Sequence, residues 1–295
     1  MIVDTGSANT WVGASTRYAG SGCSATFQVS YGSGSVSGKE CTGSVSVGSL
    51  TVPAQSFGAA SSASGFDGVD GIFGVGPTDL TSGTVSGTNT VPTFLDNAYS
   101  QGSISTEVLG VYFKPETGSD TADQNGELTL GGVDTSKYTG PLTYFPKSIV
   151  SPFSYYWGIN IVSIMYGITT ISSSASAIVD TGTTLIYIPT PAYQAFLKAS
   201  GSSTDPTTGL SSWTTRPTGT ISFMIGNSAF PLSPAQYLIP AAQYGPFGLP
   251  SGKFYSWISD GGASGVNFII GQKFLENYYS VYDTTNSRIG FATRA

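Results

Sequence analysis

The chain of 295 residues contains no histidine and only two cysteines. Without histidine there is no Ser-His-Asp triad, no Cys-His nucleophile pair and no His-based zinc or haem site. Two cysteines are too few for a four-thiolate metal centre. Charge is scarce as well: Asp, Glu, Lys and Arg make up 9% of the residues and the net charge is −6, which argues against nucleic acid or an anionic membrane as a partner. No apolar run is long enough for a transmembrane helix, and no secretory signal is visible. Helical periodicity is also rare. The best stretches are residues 90–99, 190–198 and 272–276, the second opening with Thr190 as N-cap and Pro191 at the first helical position.

What the chain does have is 39% hydrophobic and 13% aromatic content, which keeps it among globular proteins. Runs that alternate apolar and polar residues, such as 43–48 and 126–131, are separated by Gly, Ser, Pro and Asp clusters and read as half-buried strands. The composition therefore predicts an all-β protein with a few short helices. Residues 82–90 and 117–125 have no apolar period and are expected to be surface loops.

The tripeptide Asp-Thr-Gly occurs twice, as Asp4-Thr5-Gly6 and Asp180-Thr181-Gly182. Each copy follows an apolar pair, Ile2-Val3 or Ile178-Val179, and precedes a hydroxyl residue, Ser7 or Thr183. Two carboxylates presented on tight turns at strand ends can face each other across a two-fold axis if the chain is two similar lobes. Such a pair shares one proton, because adjacent like charges do not both ionise cheaply, so one carboxyl serves as acid and the other as base. Glycosidases also use paired carboxylates, but the repeated Thr-Gly favours peptide hydrolysis. Metal and cofactor are neither indicated nor needed.

These turns and their surroundings resemble the pepsin-like aspartic proteases, in a Ser/Thr/Gly-rich style similar to the secreted fungal members. Asp4 to Trp11 resembles the first active-site loop of that family, and Val29-Ser30-Tyr31-Gly32-Ser33-Gly34-Ser35 its flap. Asp70-Gly71-Ile72-Phe73-Gly74 and Phe268-Ile269-Ile270-Gly271 resemble the segments that pass behind the aspartate loops. The resemblance runs along the whole chain. It implies a bilobal fold, 1–148 carrying the first aspartate and the flap, 149–295 carrying the second. Many members have Asp where Gln272 follows Gly271, which here changes the field at the second aspartate.

The same resemblance implies site roles. Asp4 and Asp180 would be catalytic. Ser7 and Thr183 would hydrogen-bond them, Thr5 and Thr181 would reach across to the opposite loop, and Gly6 and Gly182 would complete the turns. Tyr31, Gly32 and Ser33 would form the flap, with the Trp11 indole as partner for the Tyr31 hydroxyl; the glycines at this tip supply the conformational freedom of a mobile hairpin. Ile2, Val69 and Ile72 are candidates for an apolar pocket beside the cleaved bond, with a plain core role as the other reading. Extended polypeptides in the interlobe cleft would be the substrates, broadly apolar at the cleaved bond, and pepstatin-type compounds the inhibitors. The protein would act as a secreted monomer. A catalytically impaired, truncated or non-proteolytic binding member is the alternative, and an all-β glycosidase or lectin a more distant one.

Cys23 and Cys41 flank Tyr31 by eight and ten residues. A hairpin turning near Ser33 places them almost opposite, where a cross-strand disulfide fits; two buried free thiols are the other reading. Only Met1, Ile2 and Val3 precede Asp4, whereas the family supplies earlier strands. The N-terminal strands are therefore expected to be missing, and the chain as written to be less stable or less active than a longer version.

Overall fold

The computed structural model describes residues 1–119 and 125–295, so part of the expected loop at 117–125 lies outside the described residues. The first half opens with β1 (Ile2–Asp4), β2 (Trp11–Val12), the long meander β3 (Cys23–Ser30), β4 (Ser35–Val47) and β5 (Leu50–Ser64), and β6 (Gly71–Gly74). They form a six-stranded sheet in the order β1-β6-β2-β5-β4-β3. The alternation in β4 follows its burial: Val36 is buried and its neighbours Ser35 and Ser37 are not, as expected of a sheet with one dry face.

Helix α1 (Phe94–Ser100) starts four residues later than the sequence pattern suggests, because Pro92 and Thr93 stay outside it. Thr93 caps it in a reciprocal box with Asp96, a spacing that was readable from the chain. Then come β7 (Val108–Tyr112), β8 (Glu127–Leu130) and β9 (Tyr138–Pro146). The second half opens with β10 (Gly158–Tyr166), β11 (Thr169–Ser172), β12 (Ala175–Val179), β13 (Ile186–Ile188) and α2 (Thr190–Ser200). Thr190 is the first residue of α2 rather than its cap; its hydroxyl donates to Asp260 Oδ1 at 2.6 Å, and Pro189 takes the cap position. The expected helix near 272–276 is present as a single turn, Gln272–Leu275. No described helix is long and apolar enough to cross a membrane.

Two lobes result, joined beneath by a five-stranded sheet in which β7 pairs with Tyr278–Asp283 and β9 with Arg288–Arg294 of the terminal hairpin, while β8 pairs with β7 at the edge. The largest core runs from the second lobe into that sheet through Ile159, Ile161, Phe223, Phe274 and Phe291. A smaller core under the first lobe gathers Trp11, Phe27, Val36, Phe66, Ile72 and Val85. Val85 corrects the reading of 82–90 as mere surface: it is buried and bridges to Phe27, while Ser82, Gly83 and 86–89 are exposed. One apolar residue anchors that loop without creating a period.

Cys23 and Cys41 face each other in the β3–β4 register and are bonded, with Cα atoms 3.9 Å apart. The bridge crosses the base of the hairpin that carries residues 31–34. A closed loop of this length contributes about 3 kcal/mol by restricting the unfolded chain.

Candidate active site

Two parallel strand pairs, one in each lobe, present the two aspartates. β1 pairs with β6, setting Val3 beside Phe73 and Asp4 beside Gly74, and β12 pairs with Ile269–Ile270, setting Val179 beside Ile270. Both turns are then tied to the segment behind them: Val75 N donates to Asp4 O at 2.9 Å, and Gln272 N to Thr183 O at 2.7 Å. The glycines of the backing segments are required by this crossing. A Cβ on Gly74 would lie 2.5 Å from the Ala8 carbonyl carbon, and one on Gly271 would lie 2.5 Å from Thr183 O. Gln272 turns its side chain to Glu276 Oε1, 3.3 Å away.

The hydrogen bonding around the aspartates is two-fold. Gly6 N donates to Asp4 Oδ1 at 2.8 Å and Ser7 Oγ to Asp4 Oδ2 at 2.5 Å. In the other lobe Gly182 N donates to Asp180 Oδ1 at 2.8 Å and Thr183 Oγ1 to Asp180 Oδ2 at 2.6 Å. Thr5 and Thr181 interlock: Thr5 N donates to Thr181 Oγ1 at 3.0 Å and Thr181 N to Thr5 Oγ1 at 2.9 Å, while the two hydroxyls donate to Val179 O and Val3 O. Each loop thus completes the backbone hydrogen bonding of the other, which a buried amide requires.

Gly6 and Gly182 add a close-packed layer that the chain's local pattern did not reveal. A Cβ on Gly6 would sit 2.6 Å from the Asp180 carboxylate, and one on Gly182 would sit 2.5 Å from Asp4 Oδ1. The two carboxylates are therefore pressed against the opposite turn. Both are buried. Burial first, and then the charge of Asp180, push the Asp4 carboxyl well above the ordinary carboxylate range, against the lowering effect of the Ser7 and Gly6 hydrogen bonds.

Over this pair lies a cleft of about 730 Å³ lined by both aspartates and by Val29 to Ser33 of the hairpin tip. The Tyr31 hydroxyl accepts from Trp11 Nε1 at 2.8 Å. Ile2 and Ile72 line the cleft, whereas Val69 is absent from its lining and packs with the first lobe's core. Trp11 is fully buried beneath. Sequence reading missed Phe66, whose ring meets Trp11 and Tyr31 edge-on at 4.9 and 5.4 Å. It also missed Leu80, Tyr156, Tyr187 and Asp260 in the lining. Of these only Tyr187 carried a local signal, as the middle residue of an apolar-flanked strand soon after the second Asp-Thr-Gly.

Paired carboxyls held by two-fold turns at the junction of two β lobes define an aspartic protease, and the chain belongs to the eukaryotic aspartyl protease family, whose model matches residues 1–294. It is 47% identical to polyporopepsin of Irpex lacteus, over 99% of this chain and 89% of that protein. It is 32% identical to gastricsin of Cavia porcellus over its whole length, covering 76% of that protein. The crystal structure of aspartic proteinase from Irpex lacteus superposes with a TM-score of 0.94 at 48% identity, covering 99% of this chain and 89% of that one. The enzyme is accordingly a peptide hydrolase with the bilobal β fold of that family.

Proposed function

We propose that the chain is an endopeptidase acting at acidic pH through a water held between Asp4 and Asp180. The observation that carries this is the matched burial of the two carboxylates on interlocked Asp-Thr-Gly turns. The pair holds one proton in common. Its ionised member takes a proton from the water as the water oxygen attacks the peptide carbonyl carbon. Its protonated member gives a proton to the carbonyl oxygen. Collapse of the resulting diol returns the oxygen's proton to the pair and protonates the leaving nitrogen, with no acyl-enzyme.

In this reading 1–148 and 149–295 are the two lobes clasping an extended polypeptide, and residues 31–33 close over it and exclude bulk water. Ile2, Ile72 and Phe66 on the cleft wall support a preference for apolar side chains beside the cleaved bond. A cleft complete within one chain supports action as a monomer. The Cys23–Cys41 bond supports an extracellular location, since such bonds persist in oxidising compartments. Cleavage of a denatured protein at acidic pH, abolished by pepstatin, tests the assignment; pepstatin-insensitive cleavage or none would refute it.

The pH dependence follows from the raised Asp4 carboxyl. Activity is expected below that raised value and to fall as pH climbs through it, when the pair loses its shared proton. Stability has the same sign, because a carboxyl whose folded value is raised stabilises the fold at low pH and loses that contribution as pH rises. A kcat profile and a melting profile over the same buffers check both.

For the flap, Tyr31→Phe removes the acceptor of the buried Trp11 N–H. An unpaired buried donor costs about 1–3 kcal/mol, so the melting temperature should drop by several degrees. We expect kcat/KM to fall at least about tenfold, since closure places substrate. Equal kcat/KM for parent and variant would remove Tyr31 from the flap role.

A further inference from the structure

The apolar lining nearest the two aspartates repeats across the two-fold, and what adjoins it does not. Ile2 lies two residues before Asp4 and pairs with Ile72, and Ile178 lies two residues before Asp180 and pairs with Ile269. All four line the cleft, so each lobe brings an apolar patch to its own aspartate. With the first patch go Phe66 and Tyr31, whose rings meet edge-on at 5.4 Å. With the second the lining continues through Tyr187, Val266 and an acid, Asp260.

Asp260 ends the strand Ile258–Asp260, which runs parallel to β13 with Asp260 beside Ile188. Its backbone is held closely: Gly261 N donates to Ile188 O at 2.8 Å, and a Cβ on Gly261 would lie 2.1 Å from Asn267 O. The side chain is held by one oxygen only. Oδ1 accepts from the Thr190 hydroxyl at 2.6 Å and from Gly262 N at 2.9 Å. Among the described residues Oδ2 accepts from no protein donor, and no Lys or Arg forms an ion pair with Asp260. The residue is exposed, and besides Asp4 and Asp180 it is the one charged group in the described lining of the cleft. Holding the start of α2 uses Oδ1 and leaves Oδ2 free for something else.

We propose that Asp260 is a specificity-determining residue, which selects substrates carrying lysine or arginine on the second-lobe side of the cleaved bond and an apolar residue on the first-lobe side. The inference rests on the endopeptidase reading above. A long basic side chain suits the second wall because its two parts match it: the methylene stem covers Ile178 and Ile269, and the charged head meets Asp260 while staying partly in water. Oδ2 then takes the bond that the fold leaves open, and a charge-assisted bond is stronger than one between neutral groups. An acidic side chain at the same place meets like charge, with no cation in the described lining to offset it. On the first-lobe side Phe66 and Tyr31 offer rings to an apolar side chain. The two flanks of the bond thus differ in chemistry although the turns beneath them are equivalent.

The test uses the full chain and peptides in which one scissile bond is flanked by leucine on one side and by methionine, lysine, arginine or glutamate on the other. Both orders are made, and mass spectrometry locates the cut. The expected kcat/KM is about fivefold higher for lysine than for methionine, the upper end for an ion pair left partly in water, with glutamate below methionine, and in one order only. Asp260→Asn keeps an oxygen for Thr190 and Gly262 but loses the charge, so its lysine-to-methionine ratio should fall to about one. The ratio is taken within each enzyme, so a general loss of activity does not move it. If Asp260→Asn does not fold, Asp260→Ser, read in the same way, decides. A parent that cuts the leucine–methionine peptide without favouring lysine, or a preference that survives loss of the charge, overturns this inference alone. Failure to cut any peptide overturns the endopeptidase reading with it.

Discussion

Asp4→Asn or Asp180→Asn is expected to lower kcat by at least about 10³-fold, since each removes one partner of an acid–base exchange worth about 10²–10⁴. The side chain keeps its size, and its oxygen still accepts from Gly6 or Gly182. The Asn variants should consequently stay folded. Replacing a buried carboxyl whose ionisation is disfavoured should also flatten the decline of melting temperature with rising pH in Asp4→Asn. The checks are kcat on a short peptide and melting at several pH values. Turnover near the parent's in either variant would show that the two carboxyls do not work as a pair.

The second large effect is expected from a single methyl group. Gly6→Ala puts a carbon 2.6 Å from the Asp180 carboxylate, and Gly182→Ala puts one 2.5 Å from Asp4 Oδ1. Ordinary carbon contacts begin near 3.5 Å, so one carboxylate must move by about an ångström. Misplacement on that scale costs about 10²-fold in rate. The new methyl also overpacks the lobe junction, at about 1–3 kcal/mol. Single-turnover kinetics together with thermal melting separate the two losses. Full activity in either Ala variant would mean that the turns yield more readily than their packing implies.

Much of the site was visible in the chain because its parts are local. A strand ending in Asp-Thr-Gly plus a hydroxyl fixes a turn, its amide bond to the carboxylate and the Ser7 or Thr183 bond within three residues. The disulfide was within reach because hairpin register is set by where the chain turns. What stayed hidden depends on residues far apart. The pressing of Gly6 against Asp180 joins positions more than 170 apart, so a glycine that looks like a turn residue is also a steric gap for the other lobe. Phe66 follows a small polar stretch and gave no period; only the folded hairpin shows it wedged between Trp11 and Tyr31. Val69 sits two residues from Gly71 and looked like cleft lining, yet its side chain packs into the first lobe's core. Residues of the interlobe sheet read as ordinary strands because pairing across the two halves leaves no mark on either sequence segment.

The interlocked threonines make the site a property of contact between halves. Thr5 N has its acceptor on Thr181, and Thr181 N has its acceptor on Thr5, so a separated half would hold an aspartate turn with an unmet amide and a loose hydroxyl. Cut between the lobes, the polypeptide should give two inert fragments that regain turnover on mixing, with activity rising as the product of their concentrations until the complex saturates. The terminal hairpin strengthens the case, because Arg288–Arg294 pairs with β9 from the other side of the cut. Complementation of this kind would make catalysis a measure of association.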